Sequence, residues 1–153
     1  MLFVVRPVHQ HDVPALVRMR TALWPDTSVD EHMAEANATA IGDHEGSLPL
    51  VVFVAEMANG EIAGFVEVGL RSHADGCDAA QPVGYIEGWF VEPARRGQGV
   101  GRQLVAQAEE WAREQGCREM ASDTWIDNEG SQKAHEALGY DVVDRCVLFR
   151  KSL

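Results

Sequence analysis

The stretch with the clearest chemistry is Arg95-Arg96-Gly97-Gln98-Gly99-Val100-Gly101, an arginine pair followed by spaced glycines. It follows the apolar run Val83 to Val91. It precedes an amphipathic run whose apolar face includes Val100, Leu104, Val105, Ala108 and Trp111. That pattern is strand, turn, helix. The first amides of a helix have no partner within it and point outward with the positive end of the helix dipole. Glycines let a bound group come close to that backbone, so the junction suits a diphosphate. Arg95 or Arg96 would add a charge-assisted contact. A glycine turn that merely starts a helix is the plainer reading, but the basic pair at a strand-to-helix junction favours phosphate. No Lys-Ser/Thr follows the glycines, which excludes the Walker loop, and no acidic residue stands at ribose distance in a βαβ unit.

Four further residues are candidates for acid–base or binding chemistry. Glu87 lies inside the apolar strand sequence Val83-Gly84-Tyr85-Ile86-Glu87-Gly88-Trp89-Phe90-Val91. Buried there, a carboxylate needs a partner or a raised pKa; strand alternation also permits a solvent-facing Glu. A carboxylate next to the phosphate-binding end could hold or deprotonate a cation. Asp123 closes Glu119-Met120-Ala121-Ser122-Asp123, and strand C-termini line ligand crevices in open α/β sheets. Aspartate also caps ordinary turns. Trp24 closes the first helix, where a core tryptophan is common. His135, on the last helix, has proton transfer and simple packing both open to it.

The elements that must position these residues follow from punctuation and periodicity. Leu2 to Val8 reads as a strand. Asp12 caps a helix from Val13 to about Leu23, with Pro14 in its first turn. Ser28 caps a second helix to about Ile41, with Glu31 at the capping-box position. Leu50 to Met57 and Glu61 to Arg71 form a hairpin across Ala58-Asn59-Gly60. Ser72 to Gln81 is a polar loop and Val83 to Val91 a long strand. A helix spans about Gln98 to Gln115, a strand Arg118 to Thr124 and a helix Asn128 to Leu138. Tyr140 to Val143 and Cys146 to Lys151 read as closing strands. The order β-α-α-β-β-β-α-β-α-β-β gives an α+β fold with a mixed sheet and helices on both faces.

The 153 residues suit one domain spanning 1–153. The N-terminus reads as a first strand rather than a signal peptide, and no apolar run approaches the ~18 residues of a spanning helix. Cys77, Cys117 and Cys146 show neither paired nor zinc-ligand spacing, so no metal is expected and reduced cytoplasmic thiols are. The net charge of −11 disfavours nucleic acid. It would attract a polycation, or serve solubility alone.

Arg96-Gly97-Gln98-Gly99-Val100-Gly101 resembles the Arg/Gln-x-x-Gly-x-Gly/Ala signature of the GCN5-related N-acetyltransferase superfamily. Asn128, Ala134 and Leu138-Gly139-Tyr140 resemble that superfamily's late helix and its terminal Gly-Phe, with Tyr for Phe. The resemblance implies acetyl-coenzyme A as the donor, its pyrophosphate on the amides of Arg96, Gly97, Gln98, Gly99, Val100 and Gly101. It implies a mostly antiparallel sheet splayed at the cofactor. Backbone groups of Trp89, Phe90 and Val91 would meet the pantetheine arm, and Asn128 would contact the cofactor. His135 stands where the superfamily often has a tyrosine acid.

Leu23-Trp24, Tyr85-Ile86-Glu87-Gly88, Cys117 to Asp123, and Ser131-Gln132-Lys133 with His135 are similar to aminoglycoside 6'-N-acetyltransferases. In that family the corresponding residues form the antibiotic pocket, which carries over to Trp24, Glu87 and Asp123. Asp144 matches an acidic position that contacts the antibiotic, from a neighbouring subunit if the chain is the homodimer the resemblance suggests. The 72–81 loop lacks the aromatic of some relatives, and His73 is the nearest replacement. Glu87 is then the expected base and His135 the acid for the leaving thiolate. Other acceptors stay open: a small cationic amine, a polyamine or a protein N-terminus. So does a non-enzymatic acyl-coenzyme A sensor.

Overall fold

The computed structural model describes residues 2–42 and 48–153. One sheet holds its strands in chain order: β1 (Phe3–Pro7), β2 (Leu50–Met57), β3 (Ile62–Arg71), β4 (Val83–Val91) and β5 (Met120–Ser122). Neighbours β1 to β4 are antiparallel, and β5 runs parallel to β4. The helices are α1 (Val13–Leu23), α2 (Val29–Ile41), α3 (Val100–Glu114) and α4 (Glu129–Ala137).

Helices cover both faces, as the sequence pattern requires. Leu16 and Met19 of α1 and Ala36 of α2 pack on Val52, Val54 and Phe65. On the opposite face Leu104, Val105 and Ala108 of α3 pack on Phe53, Val66, Val68 and Ile86. The Ser28 hydroxyl accepts from the Glu31 amide at 3.2 Å and starts α2 as expected. Asp12 does not cap α1. Its carboxylate accepts from the His9 amide (2.7 Å) and from Arg6, closing a 3-10 turn ahead of the helix. The helix expected from Gln98 begins at Val100, because Gly97 and Gly99 both take left-handed φ values (77° and 86°) that an α-helix excludes.

Two irregularities shape the middle of the sheet. Glu67 pairs with Gly88 and Val68 with Ile86, so Glu87 is one extra residue on β4. This bulge explains a change of face: Ile86 and Trp89 both belong to the α3 side, three residues apart, while Phe90 turns to the α1 side. Regular alternation cannot give that spacing. The second irregularity is the brevity of β5, which pairs only with Gly84, Tyr85 and Ile86. Beyond Ile86, β4 runs on to Val91 without that neighbour, so the sheet opens where the bulge begins.

The expected closing strands do not form. Tyr140 to Val143 and Cys146 to Lys151 join no ladder among the described residues. Val142, Val147, Leu148 and Phe149 stand exposed, Phe149 at 93%. A strand needs a neighbour for its amides, and none of the described strands supplies one here. The strand expected over Arg118 to Thr124 is likewise cut to its central three residues.

Candidate active site

One strand joins both halves of the site. β4 carries Glu87 at its bulge and Trp89, Phe90 and Val91 along the open edge, then leads through a 3-10 turn (Pro93–Arg95) into the glycine loop. The Glu92 amide bonds to Ala63 O at 2.8 Å. In an antiparallel ladder the preceding Val91 N–H must then point the other way, into the splay, and the Trp89 N–H with it.

The glycine loop is open. A Cβ placed on Gly97 or Gly99 would meet nothing within 4 Å, and both backbones are left-handed, so only glycine adopts them without strain. Gln103 is the first residue whose amide bonds back into α3, to Gly99 O at 3.1 Å. Among the described residues, amides 97 to 102 donate to no backbone carbonyl. The loop's long side chains fold onto the loop's own frame: Arg95 pairs with Glu61 (2.6 Å), Arg96 Nε donates to Val91 O (2.9 Å) and Gln98 donates to Ala94 O (3.2 Å). A diphosphate therefore fits this cradle through backbone amides and the dipole of a 15-residue helix. Asn128 caps α4, its Oδ1 accepting from the Ser131 amide at 3.0 Å.

The other half of the site is built from side-chain pairs. Arg71, the last residue of β3, grips Glu87 with two bonds, Nε to Oε1 at 2.9 Å and Nη2 to Oε2 at 2.7 Å. Its guanidinium lies 3.5 Å over the Tyr85 ring. The Tyr85 hydroxyl in turn donates to Asp123 at 2.5 Å. Burial, then the hydrogen bond to Asp123, pushes the Tyr85 phenol well above its ordinary value, so it stays a donor. The bond to Glu87 raises Arg71 further, against its own burial.

Trp24 forms the adjoining wall. His32, fully buried, stacks on it at 6.4 Å and bonds its carbonyl at 3.0 Å, while Phe65 meets it edge-on. Its ring sits against Gly88, where a Cβ would lie 2.5 Å from the indole. Arg20 lies 4.8 Å from the ring centroid and pairs with Glu67 and Glu35. Burial raises the Glu67 carboxyl; Arg20 opposes that shift, and Glu35 and Glu87 add to it.

His135 is held at both ring nitrogens. Nδ1 meets Ser131 O at 2.7 Å and Nε2 meets the Ser122 hydroxyl at 2.8 Å. A carbonyl only accepts, so Nδ1 donates to Ser131 O; the Ser122 hydroxyl, which also reaches Ile86 O at 3.5 Å, shares a hydrogen bond with Nε2. The ring stands edge-on to Trp89 at 5.2 Å.

The structure thus links Glu87 and Asp123 through Arg71 and Tyr85, and sets Trp24 against Gly88, the residue after Glu87. Among the described residues neither His73 nor Asp144 hydrogen-bonds to this group: His73 bonds its neighbour Ser72, and Asp144 bonds the amide of Arg145. Arg71, Tyr85, Arg20 and Glu67 were not singled out by the sequence. Only their three-dimensional pairing marks them, although an Arg closing one strand and a Tyr opening the next is a faint trace. Among the described residues one group of possible metal ligands converges, His9, His11 and Asp12, whose spacing is not that of a zinc motif. Arg6 already holds both Asp12 oxygens.

Comparison with known proteins gives a consistent picture. The model of the acetyltransferase (GNAT) family matches residues 14–140. The aminoglycoside N(6')-acetyltransferase type 1 of Klebsiella aerogenes is 41% identical over 150 residues, covering 98% of this chain and 97% of that one. The solved structure of AAC(6')-Iy, in complex with the bisubstrate analogue CoA-S-monomethyl-acetylneamine, is 36% identical and superposes with a TM-score of 0.86, each chain covered in full. A transcriptional regulator from Bacillus halodurans shares the fold at 20% identity, with a TM-score of 0.77 over 97% of this chain and 99% of that one. Shape alone therefore does not fix activity.

Proposed function

The chain belongs to the acetyltransferase (GNAT) family and, within it, to the aminoglycoside 6'-N-acetyltransferases, and from that premise we propose that it acetylates the 6'-amine of aminoglycosides with acetyl-coenzyme A, conferring resistance. The observation that carries this reading is the single strand β4, which places a carboxylate on a bulge a few residues before an open glycine cradle.

On this reading the amides of 97–101 hold the diphosphate, the Arg96 amide being turned to Pro93 O, and Asn128 contacts the same molecule. The Trp89, Phe90 and Val91 backbone lines its arm. Bound there, acetyl-coenzyme A supplies an acetyl thioester. The acceptor's amines are mostly protonated near neutral pH. Glu87 receives a proton from the 6'-ammonium, directly or through water. The Val91 N–H, turned into the splay, stabilises negative charge developing on the carbonyl oxygen. His135 is the acid on the thiol side: protonated at Nε2, it gives that proton to the Ser122 hydroxyl as the hydroxyl's own proton passes to the leaving thiolate. Trp24 and Asp123 hold the sugar rings, and His73 closes over them from the loop. The net charge of −11 draws the polycation in.

The chain acts as one catalytic domain and as a homodimer. The exposed apolar tail, residues 141–153, supports the second point. As an added strand on a second copy it would bury Val142, Val147 and Phe149 and carry Asp144 to the neighbouring acceptor pocket. Three free thiols and no helix, among the described residues, long and apolar enough to cross a membrane suit work in the cytoplasm.

Thiol release from acetyl-coenzyme A with kanamycin or tobramycin tests the activity. Turnover well above the rate without acceptor is expected; background rates across several aminoglycosides bearing a 6'-amine refute it. Light scattering tests the assembly: a dimer is expected, and a monomer once residues 141–153 are removed.

A further inference from the structure

The acceptor carboxylates are not waiting bare. Glu87 is held at both oxygens by Arg71, and Asp123 by Tyr85, on whose ring the same guanidinium rests. We propose that Arg71 is a resident counter-cation, holding on Glu87 the place that the acceptor's ammonium takes during the reaction, so that binding is an exchange of one cation for another. This rests on the reading of Glu87 as an acceptor-side carboxylate.

Three observations carry it. First, Glu87 is the bulged residue of β4, turned out of the ladder at the start of the splay. Arg71 takes the paired, in-plane positions on both its oxygens, so an incoming ammonium competes with Arg71 for the best of its acceptor sites. Second, the Arg71 side chain is 44% exposed and Glu87 28% exposed. The pair is reachable by solvent, and such pairs separate at small cost. By contrast Arg20 on Glu67, 4% and 13% exposed, is locked in. Third, Arg71 keeps a seat after exchange, because the Tyr85 face attracts the guanidinium independently of Glu87.

The arrangement has a consequence for specificity. With Arg71 on Glu87, the two carboxylates and one guanidinium sum to a single negative charge. A neutral or anionic ligand that displaced Arg71 would leave Glu87 uncompensated, which is costly once water is excluded. Only a cation can complete the exchange. Arg71 therefore lowers affinity for every acceptor while barring uncharged ones.

The test is calorimetric titration of kanamycin into the wild type, Arg71→Gln, Glu87→Gln and the double variant, together with steady-state kinetics. Removing an exposed competitor should tighten kanamycin binding by about threefold to fivefold. The same factor should appear as a fall in KM rather than a change in kcat. The gain should vanish in the Glu87→Gln background, since the two residues act as one unit. Arg71→Lys, which keeps a cation in reach, should retain wild-type affinity. Weaker, equal or absent binding by Arg71→Gln overturns the proposal. A fall in kcat that lysine restores also overturns it, because Arg71 would then orient Glu87 instead of standing in for the acceptor. Failure of the activity itself is separable: a wild type that turns over no aminoglycoside yet binds kanamycin more tightly as Arg71→Gln sinks the enzymatic reading alone.

Discussion

The glycine turn at 97–101 presents backbone amides to open space, whereas Glu87, Asp123 and Glu67 across the splay each already hold a partner from their own chain. The donor half is built from main chain and needs particular residues only because the backbone must bend. The acceptor half is built from side chains brought together over long sequence distances. Rigid amides suit a diphosphate that is the same in every cycle. Exchangeable ion pairs suit acceptors that differ in the number and spacing of their charges.

The contrast can be broken most forcefully through Arg20. It is the buried cation beneath the acceptor wall, and Arg20→Leu leaves Glu67 without its partner. A stability loss of about 3–5 kcal/mol is expected in denaturant unfolding; a loss below about 1 kcal/mol would mean that the buried pair does not hold the acceptor side together. Glu87→Gln comes next. Turnover should fall roughly 100-fold while acetyl-coenzyme A affinity stays as it was. An unchanged rate with every acceptor removes Glu87 from the mechanism. On the donor side, Gly99→Val forces a branched residue into a left-handed conformation at φ 86°. KM for acetyl-coenzyme A should rise roughly tenfold, with the acceptor KM unmoved; equal effects on both substrates would erase the distinction between the halves.

The smallest effect is on pH dependence. Burial raises the folded-state Glu67 carboxyl above its ordinary value of 4.5. The folded protein then binds more protons than the unfolded chain between those two values. This contribution to stability is full below pH 4.5 and declines as pH rises through the folded-state value. Glu67→Gln should flatten that decline in unfolding measurements from pH 4 upward. A slope identical to wild type would show that Arg20 cancels the burial.

The same contrast explains what could be read from residues alone. The donor loop was legible because main-chain geometry leaves its mark as glycine, at Gly97 and Gly99, between a strand and a helix. Helices α1 and α2 end at Leu23 and Ile41, close to where periodicity and the Trp24-Pro25 break put them. Glu87 stood out as a charge in an apolar strand, but its bulge did not, since an extra residue leaves no composition signal. The pairings of Arg71 with Glu87 and Tyr85 with Asp123 join residues 16 and 38 positions apart, beyond any local pattern. The closing strands do not form because apolar residues such as Val142, Val147 and Phe149 state a preference for pairing without naming the partner.

The central claim, that this site moves an acetyl group onto a 6'-amine, is tested most directly with neomycin and paromomycin, two aminoglycosides that differ in bearing an amine or a hydroxyl at that position. Thiol release and mass spectrometry of the products should show rapid single acetylation of neomycin and little of paromomycin. Equal acetylation of both, or of neither, would contradict the account.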